Sequence, residues 1–182
     1  RLVDSGEVDL GIAPASLSFL AVGGKGPYAE PLDILAMGQL HSSILHMVTL
    51  HGNGIDSIAD LRGKRVAVGP AGGGTISIMR NLFKLYDMTL EDIEPSFLSY
   101  ADGFSQLSDG NVDAAFALAG FPTSAVMQTG ATNDLEFIEL GDEKMAELVE
   151  TFPYYTSVTL PSDIYGTGDD VVVIGSANML IA

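Results

Sequence analysis

Six residues near the middle of the chain, Gly69-Pro-Ala-Gly-Gly-Gly74, leave few options for the backbone on either side of them. Before them lies a short apolar run, Val66-Ala67-Val68. After them Ile76, Met79, Leu82, Phe83 and Tyr86 recur at helical spacing. The pattern predicts a strand over 66–69, a tight loop, and a helix over 75–86. Glycine lets a loop backbone approach a ligand closely, and a helix start carries unpaired N–H groups with partial positive charge. Together these favour a bound anion.

The same loop excludes two nucleotide motifs. Gly69 and Gly74 have the spacing of a P-loop, but Thr75 stands where the phosphate-binding Lys belongs. No glycine follows three residues beyond Gly74, so the dinucleotide fingerprint fails as well. With no Lys to balance a triphosphate, the expected anion is smaller, such as a carboxylate. The competing reading is a glycine-rich turn between strand and helix in which Thr75 is an ordinary N-cap.

Charge narrows the partners. The chain has 8 basic and 24 acidic residues, a formal charge of −16, which argues against nucleic acid or an anionic membrane surface. Five of the 8 basic residues fall between Arg62 and Lys84, beside the glycine loop, where they serve either binding or a solvated face. There is no cysteine, hence no disulfide or thiolate chemistry, and no apolar run long enough to span a bilayer. The chain opens at Arg1 on what reads as a helix end leading into a buried strand, and it stops on an apolar run. The expectation is an internal segment of a longer protein.

An internal echo shapes the expected architecture. Val3-x-x-Gly6-x-Val8-Asp9-x-x-x-Ala13 recurs as Leu107-x-x-Gly110-x-Val112-Asp113-x-x-x-Ala117. In each, a helix end meets a glycine and an Asp-led apolar strand, then a small-residue turn: Ala13–Ser16 in one, Ala119–Ser124 in the other. Elsewhere, strands are expected at Ile34–Gln39, Ile44–Leu50, Phe97–Tyr100, Val112–Leu118 and Leu135–Leu140, and helices at Asp56–Leu61, Asp102–Ser108, Thr123–Thr129 and Asp142–Thr151. This alternation predicts an α/β fold with mainly parallel sheets, ligands sitting at the carboxyl ends of strands.

Catalytic groupings are weak. His41, His46 and His51 are spaced by five, so on an extended strand His46 faces away from the other two. No HExxH cluster or GxSxG elbow accompanies them, and the acidic residues concentrate at helix starts and turns. No enzyme, metal site or cofactor is expected.

Three segments in order carry a more specific resemblance: DLRGKRVAVG at 60–69 running into GPAGGGT, then GNVDAAFALAGFPT at 110–123, then FPYYTSVTLPSDIY at 152–165. Together they resemble the TAXI family, the solute-binding proteins of one branch of the tripartite ATP-independent periplasmic (TRAP) transporters. The resemblance implies a type II periplasmic-binding-protein fold of two α/β lobes, residues 1–43 and 170–182 in the first and 44–169 in the second. The family's glycine- and tyrosine-rich opening strand-loop has no counterpart, so the first lobe is expected to be incomplete. It further implies a periplasmic or extracytoplasmic receptor for a small carboxylate or amino acid, such as glutamate or a related dicarboxylate, delivering it to a membrane permease. The family's glycine loop falls on Gly72, Gly73, Gly74 and Thr75, and its second loop on Gly120, Phe121, Pro122 and Thr123; independently of the resemblance, Ser16, at the equivalent turn of the other lobe, is the expected contact from across the cleft. The alternative is a ligand-sensing regulatory domain of the same fold.

Overall fold

The computed structural model describes residues 2–182. In chain order the elements are β1 (Gly11–Pro14), α1 (Ala15–Val22), β2 (Ala36–Leu50), β3 (Arg65–Ala67), α2 (Gly74–Lys84), β4 (Glu94–Ser96) and α3 (Tyr100–Ser108). They continue with β5 (Ala114–Ala119), α4 (Ser124–Gly130), β6 (Leu135–Phe137), α5 (Asp142–Thr151), β7 (Tyr155–Leu160) and β8 (Val171–Ile181). The strands form one eight-stranded sheet ordered β1-β8-β2-β5-β3-β4, with β6 added to β2 and β7 to β8.

The α/β class holds, but the sheet is mixed rather than mainly parallel. Only β3–β4 and β3–β5, the pairs linked through helices, are parallel; the other five pairings are antiparallel. The reason is a single long element. The two strands expected at 34–39 and 44–50 are one continuous strand, β2, which pairs antiparallel with both β5 and β8. Its register slips between Gln39 and Ser42, and beyond that slip Ser42 and Ser43 pair with Ala177 and Ser176. β8 pairs with β7 from Val171 to Ser176 and with β1 from Asn178 to Ile181.

Alternation along the strands divides the core. Leu45 and Met47 of β2, Val66 of β3 and Phe116 of β5 pack with Met79, Leu82 and Phe83 of α2 and Leu148 of α5. The intervening residues Ile44, Val48, Ala67, Ala115 and Ala117 pack on the other side with Phe104 and Leu107 of α3 and Val126 of α4. A side-chain period of two delivers one face to each helix layer. A third, smaller cluster joins Ala21, Ile34 and Ile181 with Val3, Ala13 and Met179. Exposed large apolar side chains concentrate between Leu2 and Leu40, among them Ile12, Leu35 and Met37.

The sequence echo is a structural one. Gly6 and Gly110 both have positive φ, 73° and 71°. Gly6, Glu7 and Val8 donate to Val3 O, Leu2 O and Leu2 O; Gly110, Asn111 and Val112 donate to Leu107 O, Gln106 O and Gln106 O in the same pattern. The Gly110 turn closes α3 and the Gly6 turn ends a run of hydrogen-bonded turns over 2–6, each on a left-handed glycine that a β-carbon would disfavour and each leading to a strand, β5 or β1. Element ends move where local chemistry rules. Ser99 accepts the Asp102 N–H at 3.1 Å and so starts α3 at Tyr100, which moves the strand expected at 97–100 back to β4.

Candidate functional site

Two helices far apart in sequence begin at the same place. α1 follows β1 directly, with Pro14 at its N-cap, and α2 rises from the glycine loop, with Gly73 at its N-cap. Between the two starts lies a cavity of about 130 Å³. Pro14, Ser16 and Leu17 line it from α1; Gly72, Gly73, Gly74, Ser77 and Ile78 line it from α2; Leu118 of β5 and Ser176 of β8 complete it. The loop demands glycine at specific points. Gly72 has φ +75°, and a β-carbon on Gly74 would sit 3.0 Å from Leu118 Cδ2.

The donor set is neutral. Neither helix start carries a side-chain cap, so the first-turn N–H groups keep the partial positive charge of an open helix end. Hydroxyls of Ser16, Ser77 and Ser176 add to them, and no basic side chain lines the cavity among the described residues. Ser176 is the informative one. It is only 3% exposed, it sits between β2 and β7, and its hydroxyl has no hydrogen-bond partner among the described residues. The hydroxyl is not sealed off, since among the described residues only Ser18 Oγ is both buried and unpaired, so Ser176 is open to water or to a group entering the cavity. The volume lies below the several hundred Å³ typical of pockets for whole drug-sized ligands. It admits a compact anionic group, not a nucleotide.

Gly72, Gly73, Gly74 and Ser16, expected from the sequence to face one another, do line this one cavity. Thr75 is placed differently. It is the second residue of α2 rather than its N-cap, it is fully buried, and its Oγ1 lies 2.7 Å from the Tyr100 hydroxyl. Gly120, Phe121, Pro122 and Thr123 form the connection from β5 to α4 and do not line the cavity. Thr123 is the N-cap of α4 without a side-chain cap bond, and its N–H donates to the Tyr165 hydroxyl at 2.8 Å. Ser77 was legible in principle, since it stands three residues after Gly74 on the same helix face. Ser176 was not, because only the register of β8 brings it there.

The Tyr165 hydroxyl belongs to a buried relay. His46, fully buried on β2, donates Nδ1–H to Ala117 O at 3.2 Å, so Nε2 accepts from Tyr165 at 2.9 Å while Tyr165 accepts from Thr123. Every member is satisfied with the imidazole neutral, and burial pushes the His46 pKa down to about 4. Tyr165 also stacks on Phe137, with ring centroids 5.8 Å apart. The three histidines occupy three settings: His46 buried, His41 against Asn178 and His51 exposed beside Glu136.

The fold is similar to known ones. Superposition on the periplasmic aliphatic sulphonate binding protein SsuA from Escherichia coli gives a TM-score of 0.52 at 18% identity, over 75% of this chain and 42% of that one. The periplasmic sulfonate-binding protein SsuA from Methylobacillus flagellatus KT gives 0.57 at 18% identity, over 98% of this chain and 44% of that one. The chain thus has the fold of periplasmic binding proteins and spans less than half the length of these two. A family profile described as the NMT1-like family matches residues 1–182, and the chain belongs to that family.

Proposed function

We propose that this chain is the solute-binding part of an extracytoplasmic receptor that captures a small carboxylate between two lobes and passes it to a membrane permease. The observation that carries the reading is the 130 Å³ cavity, where two uncapped helix starts and the unpaired Ser176 hydroxyl converge without a cation. Neutral, preorganised donors bind an anion without requiring a charge that the field of a −16 chain must accommodate. Similarity to proteins described as periplasmic sulfonate-binding proteins supports the receptor class rather than an enzyme. Within that class, the three ordered segments DLRGKRVAVG, GNVDAAFALAGFPT and FPYYTSVTLPSDIY favour the TAXI branch of TRAP receptors, with glutamate or a related dicarboxylate as solute and a TRAP permease as partner.

The proposed lobes are residues 1–43 with 170–182, and residues 44–169. Support comes from the small apolar cluster of Ala21, Ile34 and Ile181, whose members all fall in the first set, and from the cavity, which takes Ser16 from one set and Gly72–Gly74 from the other. The second loop, Gly120 to Thr123, and Thr75 belong to the site on this reading once a solute draws the lobes together, with Thr123 offering a free hydroxyl.

Thermal denaturation with a ligand panel tests the reading: glutamate, 2-oxoglutarate, C4-dicarboxylates, an alkanesulfonate and ATP. A carboxylate present at about 100 times its Kd raises Tm by roughly 5 °C or more for a chain of this size. Ser176→Ala removes the hydroxyl and reduces that shift. A shift with ATP and none with carboxylates overturns the proposal. A shift with the sulfonate alone transfers the site to that anion.

A further inference from the structure

The cleft between α1 and α2 continues past the small cavity. Ser77 lines the 130 Å³ cavity and also a larger one of about 670 Å³, whose walls run on along the same two helices. Leu20 of α1 and Arg80, Asn81 and Lys84 of α2 line it with Phe152 and Tyr154, and the segment from Met88 to Glu91 closes it, its one carboxylate, Glu91, set against two cations. Asn81 is fixed there, its Nδ2 donating to the hydroxyls of Tyr155 at 3.2 Å and Tyr154 at 3.4 Å.

Among the described residues the two cations in this groove are unpaired, as are Lys25 and Lys64, and of these four only Arg80 and Lys84 line the groove. Arg62, Arg65 and Lys144 are each held by a carboxylate. Arg80 and Lys84 make no ion pair or hydrogen bond with any described residue, although the chain carries 24 acidic groups. A helix rises 1.5 Å per residue, so Arg80 stands about 9 Å along α2 from Gly74 at the small cavity. Apolar Leu20 and the rings of Phe152 and Tyr154 lie in the stretch that Arg80 shares.

Resting on the carboxylate reading of the small cavity, we propose that the α1–α2 cleft takes an elongated dianion, one anionic group at the paired helix starts and the other on Arg80. Its spacer is apolar, matching Leu20, Phe152 and Tyr154 among the lining residues. Arg80 is the distal anchor because its planar guanidinium meets a carboxylate through two parallel hydrogen bonds. A short dicarboxylate reaches only one end, and a long monocarboxylate leaves Arg80 unpaired.

Calorimetric titration of the 182-residue chain with suberate, octanoate and succinate tests this. Suberate binds more tightly than both of the others. Arg80→Gln weakens suberate binding about three- to tenfold, as expected for a partly exposed charge-assisted contact, and abolishes the preference for suberate over octanoate. Arg80→Lys retains part of that preference. Lys64→Gln, which removes the same unit of charge away from the groove, leaves suberate affinity within a factor of about two at physiological salt. Equal binding of suberate and octanoate, or equal losses in Arg80→Gln and Lys64→Gln, overturns the distal anchor and leaves the small-cavity reading standing. Failure of all three acids to bind overturns the carboxylate reading, and the proposal with it.

Discussion

Between about pH 6.5 and pH 4 the unfolded chain takes up a proton that the folded chain refuses, and His46 is the group responsible. Its imidazole is fully buried, and burial is the largest cause holding its pKa at about 4 against an ordinary 6.5. A depressed histidine pKa means that the native state favours the neutral ring. The stability so gained is complete above the unfolded pKa and declines as pH falls towards the folded one. A tenfold difference in proton affinity between the folded and unfolded chain is worth about 1.4 kcal/mol. The loss across this window is therefore about 3 kcal/mol, a large share of a typical domain's stability. Asp60, Asp92 and Asp113 also have altered acidity, but downward from 3.8, so their contribution starts to fall only at the acid end of the window and is common to wild type and the His46 variant. Urea unfolding followed by circular dichroism at pH 7, 6, 5 and 4 measures the slope directly. In His46→Gln the slope over this window falls away, even though the variant starts from lower stability. Wild-type stability unchanged between pH 6.5 and 4.5, or the same slope in both proteins, refutes the argument that a neutral His46 is built into the core.

Tyr165→Phe keeps the ring on Phe137 but leaves both His46 Nε2 and the Thr123 N–H without their partner, so unfolding stability falls by about 2 kcal/mol in the same urea experiment. A change below a few tenths would show that the relay is not formed in solution. Gly69→Ala and Gly72→Ala separate backbone strain from crowding. Both positions have positive φ, 80° and 75°, but a β-carbon on Gly69 would lie 2.9 Å from the Tyr100 ring whereas one on Gly72 meets open space. Gly72→Ala therefore costs about 1 kcal/mol and Gly69→Ala clearly more, a ranking read from thermal melts.

Local chemistry was legible wherever a few adjacent residues decide it. The glycine run gave the loop before α2, and buried Ile76, Met79, Leu82 and Phe83 confirm the face that their spacing implied. Asp142–Thr151 is α5 with the expected bounds, and the paired glycine turns at Gly6 and Gly110 share their hydrogen bonds as well as their sequence. α1 escaped notice for a physical reason: ASLSFLAV has no polar face, so no helical period stands out, and of its residues only Ala21 is buried.

The sequence by itself determined the α/β class, the glycine loop and the acidic character, and it pointed to Ser16 and Gly72–Gly74 as facing residues. Tertiary structure alone decided the rest. Whether strands run parallel depends on where the chain re-enters the sheet, and β2 and β8 re-enter antiparallel, which no local pattern records. Thr75 pairs with Tyr100, and Ser176 is set beside α2, through packing and registers between residues distant in the chain. A strand's faces follow from its own alternation, but its neighbours follow from the burial of the whole sheet, so the site's most telling hydroxyl is visible only in the fold.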